Sequence, residues 1–508
     1  MTTKQHAMID RLRHLASSKP VDAGMLTERL RASAPPAAMM LTLDDMQVDF
    51  SRQCVDLDQW QALVDWGQSV LPKRDAMLAG EIVNISENRP ALHAHLRNPD
   101  QLMAQENITT MAAMTDTILG LGVEDVVAIG IGGSYLGPKM AVEALAPFHQ
   151  GPEVHFVSNI DPSHLDDLLA GLNPITTAVI AISKTFTTKE TMSNLSAAED
   201  WFQSNGVSSQ GRVIAVTSRP DVAKDRGIAD HLILPMDEGI GGRFSLWSAV
   251  GLPIMVAIGA EMVTAMIAGA SQMDDHFASV PVAENIPILA GLIRVWNRAF
   301  LGRSGLAVIP YDQRLNLLPS WLQQLEMESN GKAMTADGKP QPLGTSPIVF
   351  GEAGSNVQHS FFQMIHQSQD IVPVDFLAPL EAISLTGDAS AKTRLRHRDL
   401  IAQMLAQADC LAMGDSERGF TGGRPSTVVT WQETSPFALG RVLAYYEHIT
   451  AVSGWLLNLN SFDQPGVELG KVIARQYEDY MDNGSGGDHI PTISRHILDR
   501  YRSLTPKP

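Results

Sequence analysis

The segment from Ser183 to Thr191 carries residue types that bind phosphate groups. It reads Ser-Lys-Thr-Phe-Thr-Thr-Lys-Glu-Thr and follows a β-branched run that predicts a strand. Its five hydroxyls and two lysines therefore lie where a strand ends and a helix begins, which is the edge at which open α/β sheets bind ligands. One hydroxyl is enough to cap a helix. The sequence favours a phosphate cradle, with a helix cap on a solvated polar loop as the alternative.

Two glycine-rich loops could complete such a site. The first, Gly130–Pro138, follows another predicted strand and lets a ligand approach its backbone, although a ligand-free turn explains it equally well. Its glycines match neither the dinucleotide fingerprint nor the Walker phosphate loop. The second, Asp237–Trp247, sets Gly241 and Gly242 ahead of Arg243. A fixed guanidinium can stabilise an oxyanion, and an ion pair with an acidic neighbour in this loop is the alternative.

A glutamate on a predicted helix is the candidate base. Residues Ser320–Asn330 form the helical stretch, and Glu328 falls on the same face as Trp321 and Leu325. A carboxylate at the end of an apolar stripe is partly desolvated, which strengthens it as a general base. Glu326 is expected to point away from this face, toward solvent. Without further context, a glutamate that merely closes the helix is the simpler interpretation.

Four further polar side chains are candidates for contact with a ligand. Gln324 lies on the same predicted helix, one turn before the glutamate. His359 follows a glycine-containing turn between a strand and a helix, and a neutral imidazole at a helix start can both accept and donate a proton. Gln464 and Lys471 lie where the C-terminal tail begins. Taken singly, each of the four fits a structural role as well.

The composition restricts the possible partners. Of the 508 residues, 44% are hydrophobic and 19% charged, an ordinary balance for a folded protein. The net charge of −18, from 38 basic and 56 acidic side chains, argues against broad binding of nucleic acid or anionic membranes. An anionic ligand therefore needs a local positive pocket. Cys54 and Cys410 form neither a metal pattern nor a disulfide framework, which fits a reducing cytoplasm.

The pattern of elements predicts an α/β protein. Residues 1–110 are predicted to be helical, including Asp58–Ala79 and Asn88–Asn98. Short β-branched runs then alternate with helix-like segments, which favours parallel sheets with helices on both faces. The predicted strands are Asp125–Ile131, Glu153–Val157, Thr177–Ser183, Arg212–Thr217, His231–Leu234, Leu306–Tyr311, Pro347–Gly351 and Ile371–Phe376. We predict two α/β domains, joined near Gly251–Met273, and a polar helical tail from about residue 461.

The most apolar stretch of the chain, Ser248–Ala270, is predicted to be a buried helix. Pro253 and Glu261 interrupt it, which disfavours a membrane span. The N-terminus is polar and has no apolar signal-peptide region. We therefore expect a cytoplasmic protein.

Taken together, these segments resemble the glucose-6-phosphate isomerase family. The resemblance runs from about residue 80 to 475, and six ordered blocks carry it: Ile129–Ser134, Ser183–Thr188 with Glu190 and Thr191, Gly241–Ser248, Leu322–Lys332, Gln358–Gln367, and Ser461–Gln464 with Gly466–Lys471. Asn84–His93 adds a weaker match. Six blocks in the family's order are far more specific than any one of them.

The resemblance implies two sugar-isomerase (SIS) domains, each a five-stranded parallel sheet between helices. Residues 111–260 and 261–460 are the implied domains, with an N-terminal helical segment, 1–110, packing on the second domain and a C-terminal arm, 461–508. The resemblance also implies a homodimer with shared active sites. The implied reaction is the reversible conversion of glucose 6-phosphate to fructose 6-phosphate, without a metal or an organic cofactor.

The same resemblance implies a role for each candidate side chain. Glu328 matches the base that moves a proton between C2 and C1, and Arg243 matches the cation beside the enediolate. His359 and Lys471 match the groups that open the sugar ring. The positions that match substrate contacts are Gly133 and Ser134 for the sugar, Ser183, Lys184, Thr185, Phe186, Thr187 and Thr188 for the phosphate, and Gln324 and Gln464 beside the reacting carbons.

The sequence departs from the family pattern at four positions. Tyr135 stands where the family pattern has an acidic residue, Lys189 where it has Gln, Val357 where it has Gly, and Pro465 where it has Trp. None of these removes a candidate catalytic group. Two interpretations from other classes compete with an isomerase. A regulatory phosphosugar-binding module needs the phosphate cradle but not Glu328, Arg243 and His359 together, and a dinucleotide-dependent enzyme conflicts with the glycine spacing. The joint presence of the three groups favours the enzyme.

Overall fold

The computed structural model describes residues 3–34, 36–383, 389–464, 466 and 468–504. The chain divides into a large unit, Met1–Phe462, and a small C-terminal unit, Asp463–Pro508. The strands, β1 to β13 in chain order, are Met40–Leu43, Met46–Asp49, Ile82–Asn84, Arg89–Pro90, Asp125–Ile129, Glu153–Val157, Thr177–Ile182, Val213–Thr217, Ile233–Pro235, Gly305–Pro310, Ile348–Phe350, Val374–Pro379 and Ser426–Trp431.

The helices, α1 to α17, are Thr3–Ser18, Ala23–Arg31, Leu57–Gly67, Leu71–Leu78, Leu102–Gly120, Leu136–Ala144, Pro162–Leu169, Lys189–Ser204, Pro220–Asp225, Leu252–Ser279, Ile286–Val295, Leu318–Leu322, Phe362–Gln367, Ala391–Met413, Pro436–Leu456, Glu468–Asn483 and Thr492–Leu504. The α/β class is confirmed. All eight predicted strands are present, each within three residues of its expected bounds. The predicted helix over Asn88–Asn98 is wrong: this stretch holds β4 and a 3₁₀ turn, His95–Arg97, because Pro90 cannot continue a helix.

The first sheet is parallel and has five strands, as predicted. Its order is β6-β5-β7-β8-β9. The residues of β7 are all buried, which explains its continuous apolar run, because helices cover both faces of such a sheet. The chain moves outward from β5 to β6 and then crosses to β7 on the other side. The strand order therefore reverses between β5 and β7, and in an open α/β sheet a ligand crevice lies at such a reversal.

The second sheet differs from the expected five parallel strands. It has six strands in the order β1-β2-β13-β12-β10-β11, of which β11, β10, β12 and β13 are parallel. The hairpin β1-β2 pairs antiparallel with β13 and covers what would be an open edge. The N-terminal segment is thus not wholly helical. Its hairpin turns at Asp44, which has a positive φ of 56°.

Helix α10 connects the two halves of the large unit. Gly259 interrupts its regular backbone with φ 81° and ψ 163°. Before this kink, the carbonyl of Ala257 accepts the N–H groups of Gln150 and Gly151, at 2.8 and 3.1 Å, from the loop that leads into β6. After it, the backbones of α10 and α15 touch, because a Cβ at Gly269 would lie 1.8 Å from the Phe437 carbonyl oxygen. One helix therefore contacts both the first sheet's side of the large unit and α15, which follows the second sheet.

The same helix accounts for the apolar stretch seen in the sequence. Residues Ala249–Ser279 are long and apolar enough to cross a membrane, with a mean hydropathy of 1.9 in the most apolar window. Of that window, 67% is buried inside the protein. Such burial is typical of a core helix, so the predicted buried helix is confirmed.

The C-terminal unit consists of α16 and α17. The Tyr480 hydroxyl, on α16, donates to Asp499 Oδ1, on α17, at 2.6 Å. Both helices carry apolar side chains that remain largely exposed, including Leu469, Ile493 and Ile497 at 71%, 78% and 64%. The helical tail predicted from the sequence is present.

Candidate active site

The loop between β7 and α8, residues 183–188, places its hydroxyls in one cluster. Ser183 Oγ lies 3.0 Å from Thr188 Oγ1 and accepts the N–H of Phe186 at 3.1 Å. The Thr187 hydroxyl donates to Thr185 Oγ1 at 2.8 Å. Thr188 directly precedes α8, yet its side chain makes no capping hydrogen bond to the helix. The cluster is therefore not a helix cap, and the first turn of α8 directs its N–H groups toward it.

Two residues of this loop turn their side chains elsewhere. Phe186 has a positive φ of 53°, and its side chain is buried. Lys184 Nζ donates to the carbonyls of Glu238 and Ile240, at 2.8 and 3.3 Å, in the loop that carries Arg243. Burial, together with the nearby charge of Arg89, lowers the Lys184 pKa. Lys184 thus ties the two loops together.

The glycine-rich loop after β5 touches two other segments of the site. A Cβ at Gly133 would lie 1.9 Å from the carbonyl oxygen of Gly242, so no other residue fits there. Gly132 has a positive φ of 60°, and a Cβ there would lie 3.0 Å from Gln324 Nε2. Residues Gly132–Ser134 form a short 3₁₀ turn, and Ser134 is its last residue. The loop is thereby pressed between the Arg243 loop and the helix that carries Gln324.

Arg243 is buried at the centre of this arrangement. Its Nε donates to Ser329 Oγ at 2.5 Å, and its Nη2 donates to the carbonyl of Ser461. Its Nη1 lies 3.8 Å from Glu328 Oε2. Of the two acidic residues in its own loop, Glu238 pairs with Arg89, and Asp237 accepts the N–H of Gly239. Arg243 is therefore a fixed cation aimed at Glu328 and does not serve as an internal tie of its loop.

Glu328 is the last residue of a π-helical turn, Gln323–Glu328, that continues α12. Its side chain is 22% exposed, and its Oε2 is buried without a hydrogen-bond partner. The Oε1 of Gln324 is likewise buried and without a partner. Buried polar atoms are normally satisfied, so two acceptors without a partner among the described residues, one of them 3.8 Å from Arg243 Nη1, mark a place for a polar ligand.

The expectation for Glu326 is wrong. Its side chain is buried and accepts a hydrogen bond from Arg294 Nη1 at 2.9 Å. The π turn contains one residue more than an α turn, and α15 covers the side of the helix that was expected to meet solvent. The face of this helix that carries Glu326 is therefore buried.

A family model described as phosphoglucose isomerase matches residues 49–493. The chain belongs to the phosphoglucose isomerase family. The glucose-6-phosphate isomerase of Bartonella bacilliformis is 39% identical over 92% of this chain and 93% of its own. That of a Ruegeria species is 40% identical over 85% and 88%.

A solved structure supports the same assignment. The glucose-6-phosphate isomerase of Chlamydia trachomatis matches 98% of this chain and 99% of its own, with a TM-score of 0.87 and 32% identity. Together these similarities confirm the family, the fold class and the isomerase activity that the sequence indicated.

The candidate residues of this phosphoglucose isomerase family member fall into two groups. The large unit brings together the loops of Gly133, Ser134 and Ser183–Thr188 with Arg243, Gln324 and Glu328. His359 is exposed at the end of a 3₁₀ turn after β11. In the described part of the chain, no hydrogen bond or ion pair joins it to Glu328 or Arg243. Gln464 and Lys471 belong to the C-terminal unit, with Lys471 in the first turn of α16.

Sequence reasoning did not identify the residues that hold Arg243 in place. Ser329 and Ser461 stand inside matching blocks, so their position was the available signal. At the far end of the Arg243 turn, the Trp247 indole donates to Glu447 Oε1 at 3.0 Å. Glu447 also pairs with the fully buried Arg97, and burial raises the pKa of Glu447 to about 7. Nothing local in the sequence indicates this long-range pairing.

His93, in the weaker matching block, also supports the Arg243 turn. Its ring stacks on Phe244 with 4.6 Å between centroids. Burial, with Arg97 nearby, holds its pKa well below the usual range. His93 is therefore a neutral packing residue.

Three of the four departures from the family pattern are at described residues. Tyr135 packs edge-on against Phe156, and Val357 is fully buried against residues of the second sheet. Lys189 is the first residue of α8. Pro465 lies outside the described residues.

Proposed function

We propose that Glu328 moves the proton between C2 and C1, and that Arg243 stabilises the enediolate, as this chain interconverts glucose 6-phosphate and fructose 6-phosphate. One observation carries the assignment of roles: a buried carboxylate oxygen without a hydrogen-bond partner lies 3.8 Å from a buried guanidinium. A sugar C–H is a very weak acid, so its removal needs a positioned base and stabilisation of the resulting oxyanion. These two groups can supply both.

The test is turnover of fructose 6-phosphate, followed through a coupled glucose-6-phosphate dehydrogenase. The purified chain should convert the sugar phosphate with no addition beyond the coupling enzyme and its nicotinamide cofactor. Tight binding of fructose 6-phosphate without turnover would contradict the proposed roles.

The phosphate group belongs, in this proposal, to the loop of Ser183, Thr185 and Thr188. The hydroxyl cluster and the N–H groups of the first turn of α8 are both suited to phosphate oxygens. Holding the phosphate supplies binding energy that orients the reacting carbons. Gln324 then contacts the sugar hydroxyls beside Glu328.

Removal of two hydroxyls from this loop should weaken phosphate binding. Thr185→Ala combined with Thr188→Ala is expected to weaken a competitive sugar-phosphate inhibitor and inorganic phosphate alike, by about 1.5–3 kcal/mol per lost hydrogen bond. Titration calorimetry measures both affinities. Thr109→Ala, on the exposed side of α5, is the matched control and should change neither. Unchanged inhibitor affinity in the double variant would assign the phosphate to another part of the protein.

His359 and Lys471 are proposed to act on the ring oxygen and the C1 hydroxyl during ring opening. This assignment rests on the family motif. A second acid–base group is needed because ring opening and carbon proton transfer move protons at different atoms.

We also propose a homodimer in which each active site uses residues of both copies. Two observations support it. His359 is exposed and has no described contact with Glu328 or Arg243. The helices of the C-terminal unit carry exposed apolar side chains, such as Ile493 and Ile497, which favours burial against a second protein surface. In a dimer of this kind, His359 of one copy completes the site of the other.

Mixing two inactive variants tests this sharing. In a heterodimer of Glu328→Gln with His359→Ala, one of the two sites contains both intact side chains. After full subunit exchange, the mixture should regain about a quarter of the wild-type activity. A mixture of Glu328→Gln with Arg243→Ala, whose altered residues lie in the same cluster, should regain none. Failure of the first mixture, with exchange verified by native mass spectrometry, would show that the sites are not shared.

The proposed location is the cytoplasm. Cys54 and Cys410 are both free, as in a reducing compartment.

A further inference from the structure

Glu326 is the most fully bonded carboxylate beside the candidate base, although nothing in the reaction calls for it. Its Oε2 accepts from Arg294 Nη1 and from the Thr450 hydroxyl, both at 2.9 Å. Its Oε1 accepts from Asn330 Nδ2 at 3.1 Å. These bonds tie the π turn to α11, which carries Arg294, and to α15, which carries Thr450.

The carboxylate of Glu328, two residues later, lacks such hydrogen bonds within the described part of the chain. No hydrogen bond from a described residue reaches its carboxylate, and its nearest cation is 3.8 Å away. A base must keep an oxygen open to receive the proton, so it cannot be fixed by hydrogen bonds to that oxygen. Its position must come from the backbone that carries it.

That backbone has an alternative conformation. A π turn is uncommon, and it differs from an α-helix by one extra residue. If the turn relaxed to α-helical geometry, the side chains after it would rotate by roughly 100° relative to those before it. Glu328 would then leave Arg243. Fixing one residue inside the turn prevents this change of register.

We propose that Glu326 is the positioning residue for Glu328, and that its bonds to Arg294 and Thr450 hold the π turn in the register that the reaction needs. The inference rests on the proposed role of Glu328. A buried ion pair generally adds little net stability compared with apolar residues of similar size. The pair is therefore better explained by the geometry it imposes than by the stability it gives.

Arg294 is suited to this function because it is itself fixed. Its side chain is buried, its Nη2 lies 3.4 Å from Asp375 Oδ2, and its guanidinium lies over the Tyr446 ring at 5.8 Å from the centroid. It therefore provides a rigid point for Glu326.

The test uses two substitutions of different severity. Glu326→Gln keeps the shape of the side chain, but its NH₂ group must face one of the groups that donate to the Glu326 carboxylate: Arg294, Thr450 or Asn330. It should lower kcat by about 10- to 100-fold, because small misplacements of a reacting group carry costs of that size. Thr450→Val removes one of the bonds and should lower kcat by a smaller factor, whereas Thr450→Ser restores the hydroxyl and should recover the rate. Ser453→Ala, one turn further along α15, removes a hydroxyl that has no partner and should have no effect.

Two readouts separate positioning from a general loss of structure. Affinity for a competitive sugar-phosphate inhibitor should remain near wild type, since the phosphate loop is untouched. Exchange of the C2 proton of an open-chain substrate with solvent should fall in proportion to kcat. Normal kcat and normal exchange in folded Glu326→Gln and Thr450→Val would overturn the inference. If Glu328→Gln were also fully active, the proposed function of Glu328 would fail as well, so the two failures are distinguishable.

Discussion

Glu328→Gln is expected to lower kcat by at least about 10³-fold while leaving the affinity for sugar phosphates nearly unchanged. The amide keeps the size of the side chain but cannot accept the carbon proton. The carboxylate stands at the end of a π turn with a buried open oxygen next to Arg243. Its loss therefore removes the reacting group without removing the phosphate loop.

Steady-state kinetics and inhibitor titration on the purified variant measure the two quantities. Glu284→Gln is the matched control and should behave as wild type, because Glu284 is exposed in a separate 3₁₀ turn that precedes α11. A folded Glu328→Gln protein with near-normal kcat would exclude Glu328 from the mechanism. A large loss of inhibitor affinity would instead assign it to substrate binding.

His359→Ala is expected to lower turnover of the cyclic sugar by about 10²–10⁴-fold, the usual contribution of general acid–base assistance. It should spare much of the exchange of the C2 proton when an open-chain substrate is supplied. The reason is spatial: His359 is on a different segment from Glu328, and no described contact joins the two. Two separate acid–base groups are useful only if two proton transfers occur at different atoms of the sugar.

Deuterium incorporation at C2, followed by NMR, distinguishes the two steps. Glu328→Gln should abolish exchange from both forms of the substrate, whereas His359→Ala should affect mainly the cyclic form. His366→Gln provides a control, because His366 packs between Phe362 and Phe420 and bonds to Gln407 away from the site. Equal loss of exchange from the open-chain form in His359→Ala would show that His359 also serves the carbon proton transfer.

The parts of the site that the sequence predicts are those with a local signal. The hydroxyls of Ser183, Thr185 and Thr188 exceed what a helix cap requires, and the structure indeed leaves Thr188 out of capping. Glu328 is predicted as a site residue through helical periodicity, and the apolar residues before the π turn that give this pattern, such as Trp321, do face the core. The parallel strands were found because burial on both faces makes them continuously apolar.

The rest depends on contacts between distant segments. Glu326 is buried only because α11 and α15 supply partners 32 and 124 residues away. The hairpin β1-β2 has strands of four residues and forms by pairing with β13, hundreds of residues later in the chain. The sequence shows that a histidine capable of acid–base chemistry stands at position 359, but it does not show which groups surround that histidine.

The course of α10 has a mechanical consequence for substrate access. The helix is hydrogen-bonded to the loop that leads into β6 before its kink and is in backbone contact with α15 beyond it. A motion that separated these two attachments along a straight helix would have to break one of them, because the backbones are in direct contact. A bend at Gly259, where the helical backbone is already interrupted, breaks neither. Any rearrangement of the large unit that admits a sugar is therefore expected to hinge at this one glycine.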